Sequence, residues 1–435
     1  MQDGAVERKG GILWMLASLP ANVAAGPLSL LVTLYILELG GGALNVAYAM
    51  TLSSAITIPS VFLWGYITDL LNRRRIFIVV SYLSTALLIL SLFFVKSVFA
   101  VTIIYATVAF TWAANGAPLN LLVMENAEEN RWARNFSVLQ TISGAGATLG
   151  YLVAWIVTGV STLNMLLLVL ASSALASSVM AAKLIEEPTA ASIRTALQDG
   201  VHAFVYRIIS IPNMLIRIPS PTNIKNLFKF KGFESIEKEF VLVFYLISFI
   251  FFFGSSIFNT EYPVGLKLSG MSEALIFFLS LLAMIVQVTI FYYYDKLTVN
   301  KNSKKIATLS LVGRGGAYAA MGLMFIFIRG LSFYVGNFIF YIFAIGVAYS
   351  IYYPTSYSIL FKTLAGKKKG SSIGIYSAVI GLGTLSGALI SGAMSVAFGF
   401  GITFVFAGGL MLLCGYMFRL LPKITSAETP APSGS

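Results

Sequence analysis

Cysteine and histidine are nearly missing from this chain. Its 435 residues hold one cysteine, Cys414, inside an apolar run, and one histidine, His202, in a polar interval. One thiol excludes an internal disulfide, and a lone Cys with a lone His builds no metal site, so neither a metal nor a cofactor is expected. Charge is scarce as well: 11% of the residues are charged, where a soluble domain carries about 25%. None of the 17 acidic residues falls inside an apolar run as the hydropathy pattern delimits the runs. Glu38 and Glu261 stand at one set of ends, and Asp69, Glu125 and Asp295 at the other. No Ser/His/Asp set and no carboxylate pair can converge there, so catalysis is not expected.

Apolar residues fill the chain instead, at 58% of the total. A membrane helix needs about 20 of them in a row. Twelve such runs are read at 12–37, 43–67, 76–95, 99–122, 136–157, 164–182, 240–258, 275–294, 306–328, 333–361, 371–398 and 402–421. The first is too long for a signal-peptide core and lacks a small-residue cleavage pattern, so it reads as a retained helix. The fold class is therefore an all-α polytopic membrane protein of twelve transmembrane helices in two six-helix bundles.

The basic residues fix an expected orientation. With the N-terminus in the cytoplasm, 25 of the 29 Lys and Arg lie inside. Only Lys96, Lys267 and Arg329 lie outside, and Arg314 lies within a span. That bias follows the positive-inside rule and puts both termini in the cytoplasm. The formal net charge of +12 is thus a matter of topology, and no nucleic-acid partner is expected, because the basic residues lie between apolar runs.

The expected organisation is a bundle over 1–183, a cytoplasmic central loop over 184–239, a second bundle over 240–422 and a disordered tail over 423–435. In the loop, Val201, Phe204, Val205, Ile208 and Ile209 recur at helical spacing and predict an amphipathic helix on the membrane surface. Leu227-Phe228-Lys229-Phe230-Lys231 offers a second anchor. The halves repeat: Gly146 and Gly150 return as Gly383 and Gly387 at an offset of 237, and Pro118 returns as Pro354 at 236.

One loop joins the second and third spans: Gly65-Tyr66-Ile67-Thr68-Asp69-Leu70-Leu71-Asn72-Arg73-Arg74-Arg75. It resembles the signature loop of the major facilitator superfamily, with Gly65, Asp69, Arg73 and Arg74 matching, and Leu70 and Asn72 standing where a basic residue and a second glycine are usual. Gly65 is expected to let two helices approach closely. The resemblance implies a secondary transporter working by alternating access. It also implies that Glu125, Arg131 and Arg134 of the fourth-to-fifth loop face Asp69, Arg73 and Arg74 in a charge network that closes the cytoplasmic side. In this family the first, fourth, seventh and tenth spans line the substrate cavity.

Polar and aromatic residues near mid-span on those helices are the substrate-cavity candidates: Asn22, Trp112, Asn115, Tyr245, Tyr349, Tyr352 and Tyr353, with Gln287 on the eighth span. Buried amides and phenols need partners or a wet cavity, and they also bridge packed helices. The cavity spans carry no arginine or lysine to hold an anion and no carboxylate for a polycation. The expected partners are the lipid bilayer and a small neutral or amphipathic organic solute, with the chain as a monomer in the cell membrane. Proton coupling stays open and would use Glu38, Glu261, Asp69 or Glu125. Arg314, eight residues from the cytoplasmic end of the ninth span, either snorkels to that surface or has a function. The alternative reading is a lipid flippase or a sensor or scaffold that retains the fold.

Overall fold

The computed structural model describes residues 13–71, 73–126, 132–186, 235–298, 302–363 and 369–421. The expected amphipathic helix and second anchor, His202, Arg131, Asn72 and the tail lie outside the described residues, and the side chains of Asp69 and Asp295 are likewise not described.

Backbone in a bilayer has to satisfy its own hydrogen bonds, and the chain answers with helices. The spans are α1 (Leu13–Glu38), α2 (Ala43–Leu71), α3 (Arg75–Leu92), α4 (Val98–Glu125), α5 (Trp132–Val160) and α6 (Leu163–Leu184). They continue as α7 (Ser235–Leu268), α8 (Glu273–Thr298), α9 (Ser303–Phe327) and α10 (Leu331–Ile359). The last two, α11 and α12, occupy Lys369–Leu420, 52 residues joined without a loop. A straight helix of that length would run about 78 Å, far beyond a bilayer core of about 30 Å. Gly399, at φ 80° and ψ 159°, breaks it into two spans. Only a residue without Cβ adopts that conformation freely.

One boundary differs from the sequence reading in a way that matters. The seventh run was expected to end at 258, before Asn259-Thr260-Glu261. Instead α7 continues through Pro263 to Leu268. Glu261 therefore lies well inside a span, with no exposed surface.

Contacts divide the described chain into two compact units, one within Met1–Lys231 together with Lys267–Leu281, the other within Gly232–Leu266 together with Leu282–Ser435. In the first, a core of Trp14, Met15, Ile78, Tyr82, Leu122 and Leu139 joins α1, α3, α4 and α5. Tyr35 caps the end of α3 by donating to the Leu92 and Val95 carbonyls at 3.1 and 3.0 Å. Trp64 of α2 donates to Phe110 O of α4 at 2.9 Å. Lys267 and Glu273 pair at 2.7 Å across the α7–α8 turn.

The glycine repeat has a geometric meaning. A Cβ on Gly146 of α5 would stand 2.5 Å from Leu19 O of α1, and one on Gly150 would stand 2.8 Å from Pro27 Cδ and closer still to Val23 O. In the second unit a Cβ on Gly383 of α11 would stand 2.8 Å from Phe249 O of α7, and one on Gly387 2.8 Å from Ser256 Cβ and closer still to Phe253 O. Each unit thus contains the same small-residue helix contact. The contact lies within each half, as a static packing motif does. Gly65 behaves differently, since a Cβ there would meet nothing within 4 Å. The close approach expected of Gly65 is not observed.

Candidate functional site

The middle of α4 is not a regular helix. Ala113–Asn115 form a 3-10 turn, so Gly116 N bonds to Ala113 O and leaves Trp112 O without its usual partner. Pro118 lies just downstream and has no N–H to return to Ala114 O. Asn115 takes over: its Nδ2 donates to Trp112 O at 2.7 Å and to Ser81 Oγ of α3 at 3.2 Å. Ser81 Oγ also donates to Trp112 O, at 3.4 Å. The Trp112 ring lies 5.9 Å from the ring of Tyr82. A distorted turn held by side-chain amides is a common mark of a functional segment.

That turn forms the wall of a cavity of about 570 Å³. Ala25, Leu28 and Ser29 of α1 line it, with Ser53, Thr57 and Val61 of α2 and a stripe along α4 from Tyr105 to Asn120. No charged residue is among the lining. The volume falls within the range of small-molecule sites, about 300–1,000 Å³. Trp112 and Asn115 were expected here and are here. Tyr105, Ala109, Trp112, Gly116 and Asn120 share one helical face by their spacing, a signal that counting only mid-span polar residues missed. Ser53 and Thr57 were not singled out, because the hydroxyl residues of α2 (Thr51, Ser53, Ser54, Thr57 and Ser60) do not gather on one polar face.

Asn22 is not in that lining. Its Nδ2 donates to Ser18 O of its own helix at 2.8 Å, and its Cβ lies beside Gly146 in the α1–α5 contact.

The remaining candidates lie in the second unit. Tyr349 and Tyr353 of α10 are half-buried, and their rings stack at 5.3 Å; Tyr357 follows at 4.9 Å. Tyr352 is buried, 4.4 Å from the ring of Phe251. Tyr245 is buried with its ring 6.3 Å from Tyr376. Gln287 is half-buried on α8. A π-helical stretch, Ile342–Ala348, immediately precedes Tyr349 and sets the register of this tyrosine ladder.

Two buried ionisable groups lie in the same unit. Glu261 Oε1 accepts from Ser391 Oγ of α11 at 3.1 Å, while Oε2 and the nearby Ser395 Oγ are buried without hydrogen-bond partners. Arg314 is 2% exposed and does not reach the membrane surface. Its Nε and Nη2 donate to Tyr318 Oη at 3.0 and 2.7 Å, and Nη1 is buried without a partner.

At the α2–α3 turn, Arg74 is buried and pairs with Glu125 at the end of α4 at 3.0 Å. Its Nη1 donates to Thr68 O at 2.9 Å, binding the end of α2 to the end of α4. Arg73 and Arg134 are exposed. Two members of the expected charge network are thus in contact.

Residues 14–340 and 301–435 match the family model described as the Major Facilitator Superfamily. An uncharacterized MFS-type transporter of Methanocaldococcus jannaschii is 23% identical over 392 residues, 87% of each chain. The crystal structure of a POT family transporter in complex with 5-aminolevulinic acid superposes with a TM-score of 0.71 at 14% identity, covering 96% of this chain and 97% of that one. The nucleoside transporter NupG superposes at 0.70 and 13% identity, over 95% of this chain and 98% of that one.

Proposed function

The chain belongs to the major facilitator superfamily and is a multi-pass membrane transporter, and from that premise we propose that it carries a small neutral or amphipathic organic solute by alternating access. The observation that carries this reading is the uncharged cavity of about 570 Å³ beside the irregular turn at Trp112 and Asn115. Its wall joins aliphatic residues to the Trp112 and Tyr105 rings, the Asn115 and Asn120 amides and the Ser29, Ser53 and Thr57 hydroxyls. Such a wall suits a molecule with an apolar body and a few hydrogen-bonding groups. The similar solved structures include a POT family transporter in complex with 5-aminolevulinic acid and a nucleoside transporter, and solutes of that size are the place to begin.

In this reading the two bundles, 1–183 and 240–422, are the moving bodies, with both termini in the cytoplasm as the basic loops suggest. The Arg74–Glu125 pair holds one end closed, with Gly65, Asp69, Arg73, Arg131 and Arg134 completing the switch loop. Glu261 is the proton-carrying group. A buried carboxylate with no cation beside it costs several kcal/mol, and a bound proton removes that cost.

The test is a thermal-shift screen of detergent-purified protein against sugars, nucleosides, amino acids, peptides and amphipathic drugs. A ligand at a hundredfold excess over its Kd stabilises by about 2.7 kcal/mol. A selective hit lost in Asn115→Ala and Trp112→Ala supports the reading. A flat screen with strong shifts from lipids would replace it with lipid handling.

A further inference from the structure

Among the described residues, no acidic side chain forms an ion pair with Arg314. Arginine keeps its charge under all physiological conditions, so it cannot become neutral as a buried carboxyl can. Its guanidinium carbon lies 5.0 Å from the Phe251 ring of α7, 5.2 Å from Tyr318 of α9 and 5.1 Å from Tyr349 of α10. The rings attract the charge through their faces, but they accept none of its N–H groups in the plane. A guanidinium has five N–H donors. Here Nε and Nη2 converge on one acceptor, Tyr318 Oη, and Nη1 has none. The ion pairs formed among the described residues join other groups, Arg74 with Glu125 and Lys267 with Glu273. Glu261, a buried carboxyl residue of the same unit, bonds to Ser391 instead.

A planar donor edge left open on a permanent charge suits a bidentate anion, above all a carboxylate. Tyr349, the half-buried wall of the cage, begins the ladder that runs through Tyr353 and Tyr357. The ladder provides stacked rings for a flat apolar body next to that edge. We propose that Arg314 is a binding residue for the anionic group of the solute, and that the solute class is an amphipathic aromatic carboxylate with its carboxylate on the Nη1 edge and its ring along Tyr349 and Tyr353. This rests on the amphipathic-solute reading above and narrows it to an anion. Entry requires the Tyr349 ring to turn aside, a rotamer change of a half-buried side chain.

Matched acid and amide probes test it. Kd is measured by thermal shift and by equilibrium dialysis for phenylacetate against phenylacetamide, indole-3-acetate against indole-3-acetamide, and 2-naphthoate against 2-naphthamide. The expected result is at least one pair in which the acid binds about tenfold tighter than its amide, with the preference lost in Arg314→Gln and reduced in Arg314→Lys. A cation that only holds the helices together would lower the melting temperature of Arg314→Gln and leave the acid-to-amide ratio of the folded fraction unchanged, which would overturn the proposal. Should the Gln variant not fold, the Lys variant and the wild-type ratios decide. Equal binding of acid and amide in every wild-type pair overturns the proposal and leaves the amphipathic-solute reading intact. Binding of neither member of any pair overturns the aromatic-carboxylate proposal, and the amphipathic-solute reading then stands or falls on the wider solute screen.

Discussion

Replacing Gly150 by alanine adds one carbon where α1 and α5 touch. That carbon would stand 2.8 Å from Pro27 Cδ and nearer still to the Val23 carbonyl oxygen, where ordinary contact begins at 3.4 Å. The atoms in the way belong to a proline ring and a backbone carbonyl, neither of which can rotate aside. The helices have to separate by at least about 0.6 Å, and overpacking of this kind costs about 1–3 kcal/mol. Alanine returns about 0.5–1 kcal/mol by restricting the unfolded chain. The net expectation for Gly150→Ala is a loss of about 1–2 kcal/mol. Gly387→Ala should behave in the same way, because its added carbon would meet Ser256 Cβ at 2.8 Å and Phe253 O. Gly65→Ala is the control: nothing lies within 4 Å of its Cβ position, so the variant should match or slightly exceed the parent. Unfolding of the three variants in one detergent, followed by heat or denaturant, gives the order. A Gly150→Ala protein as stable as the parent, or a Gly65→Ala protein that loses stability, refutes the close-contact reasoning.

Arg74 and Glu125 join a buried and a partly exposed side chain at 3.0 Å, and a double-mutant cycle with Arg74→Gln and Glu125→Gln should give a coupling of about 1–2 kcal/mol. Glu125→Gln should also slow transport in proteoliposomes while leaving solute Kd within about twofold; unchanged transport would end its role in the switch. Glu261→Gln should keep solute exchange but abolish accumulation driven by a pH gradient, and a variant that still concentrates solute against the gradient would take the proton away from Glu261.

The fold was legible because the two strongest signals of a membrane chain, long apolar runs and basic loops on one side, are properties of composition. Gly146, Gly150, Gly383 and Gly387 even showed the internal repeat, although not which helices they join. The residues around Glu261 were misread for a physical reason: an Asn-Thr-Glu-Tyr-Pro stretch looks like the end of a span when hydropathy is averaged. A buried carboxyl facing serines on α11 costs less than that average implies. Trp112 and Asn115 were visible as polar points on an apolar helix. Ser53 and Thr57 were not, since the hydroxyl residues of α2 do not gather on one polar face and so do not say which side faces a cavity. Arg314 was visible as a charge out of place, but its cage draws Phe251 and Tyr349 from helices distant in sequence.

Gly399 bears on how the protein is made. With a single non-helical residue between α11 and α12, there is almost no loop to close, and the entropy of bringing these two segments side by side is close to its minimum. They can therefore leave the translocation machinery and enter the lipid as one preformed hairpin. A bulky residue in place of Gly399 would be felt first as a defect of membrane insertion and only second as a loss of transport.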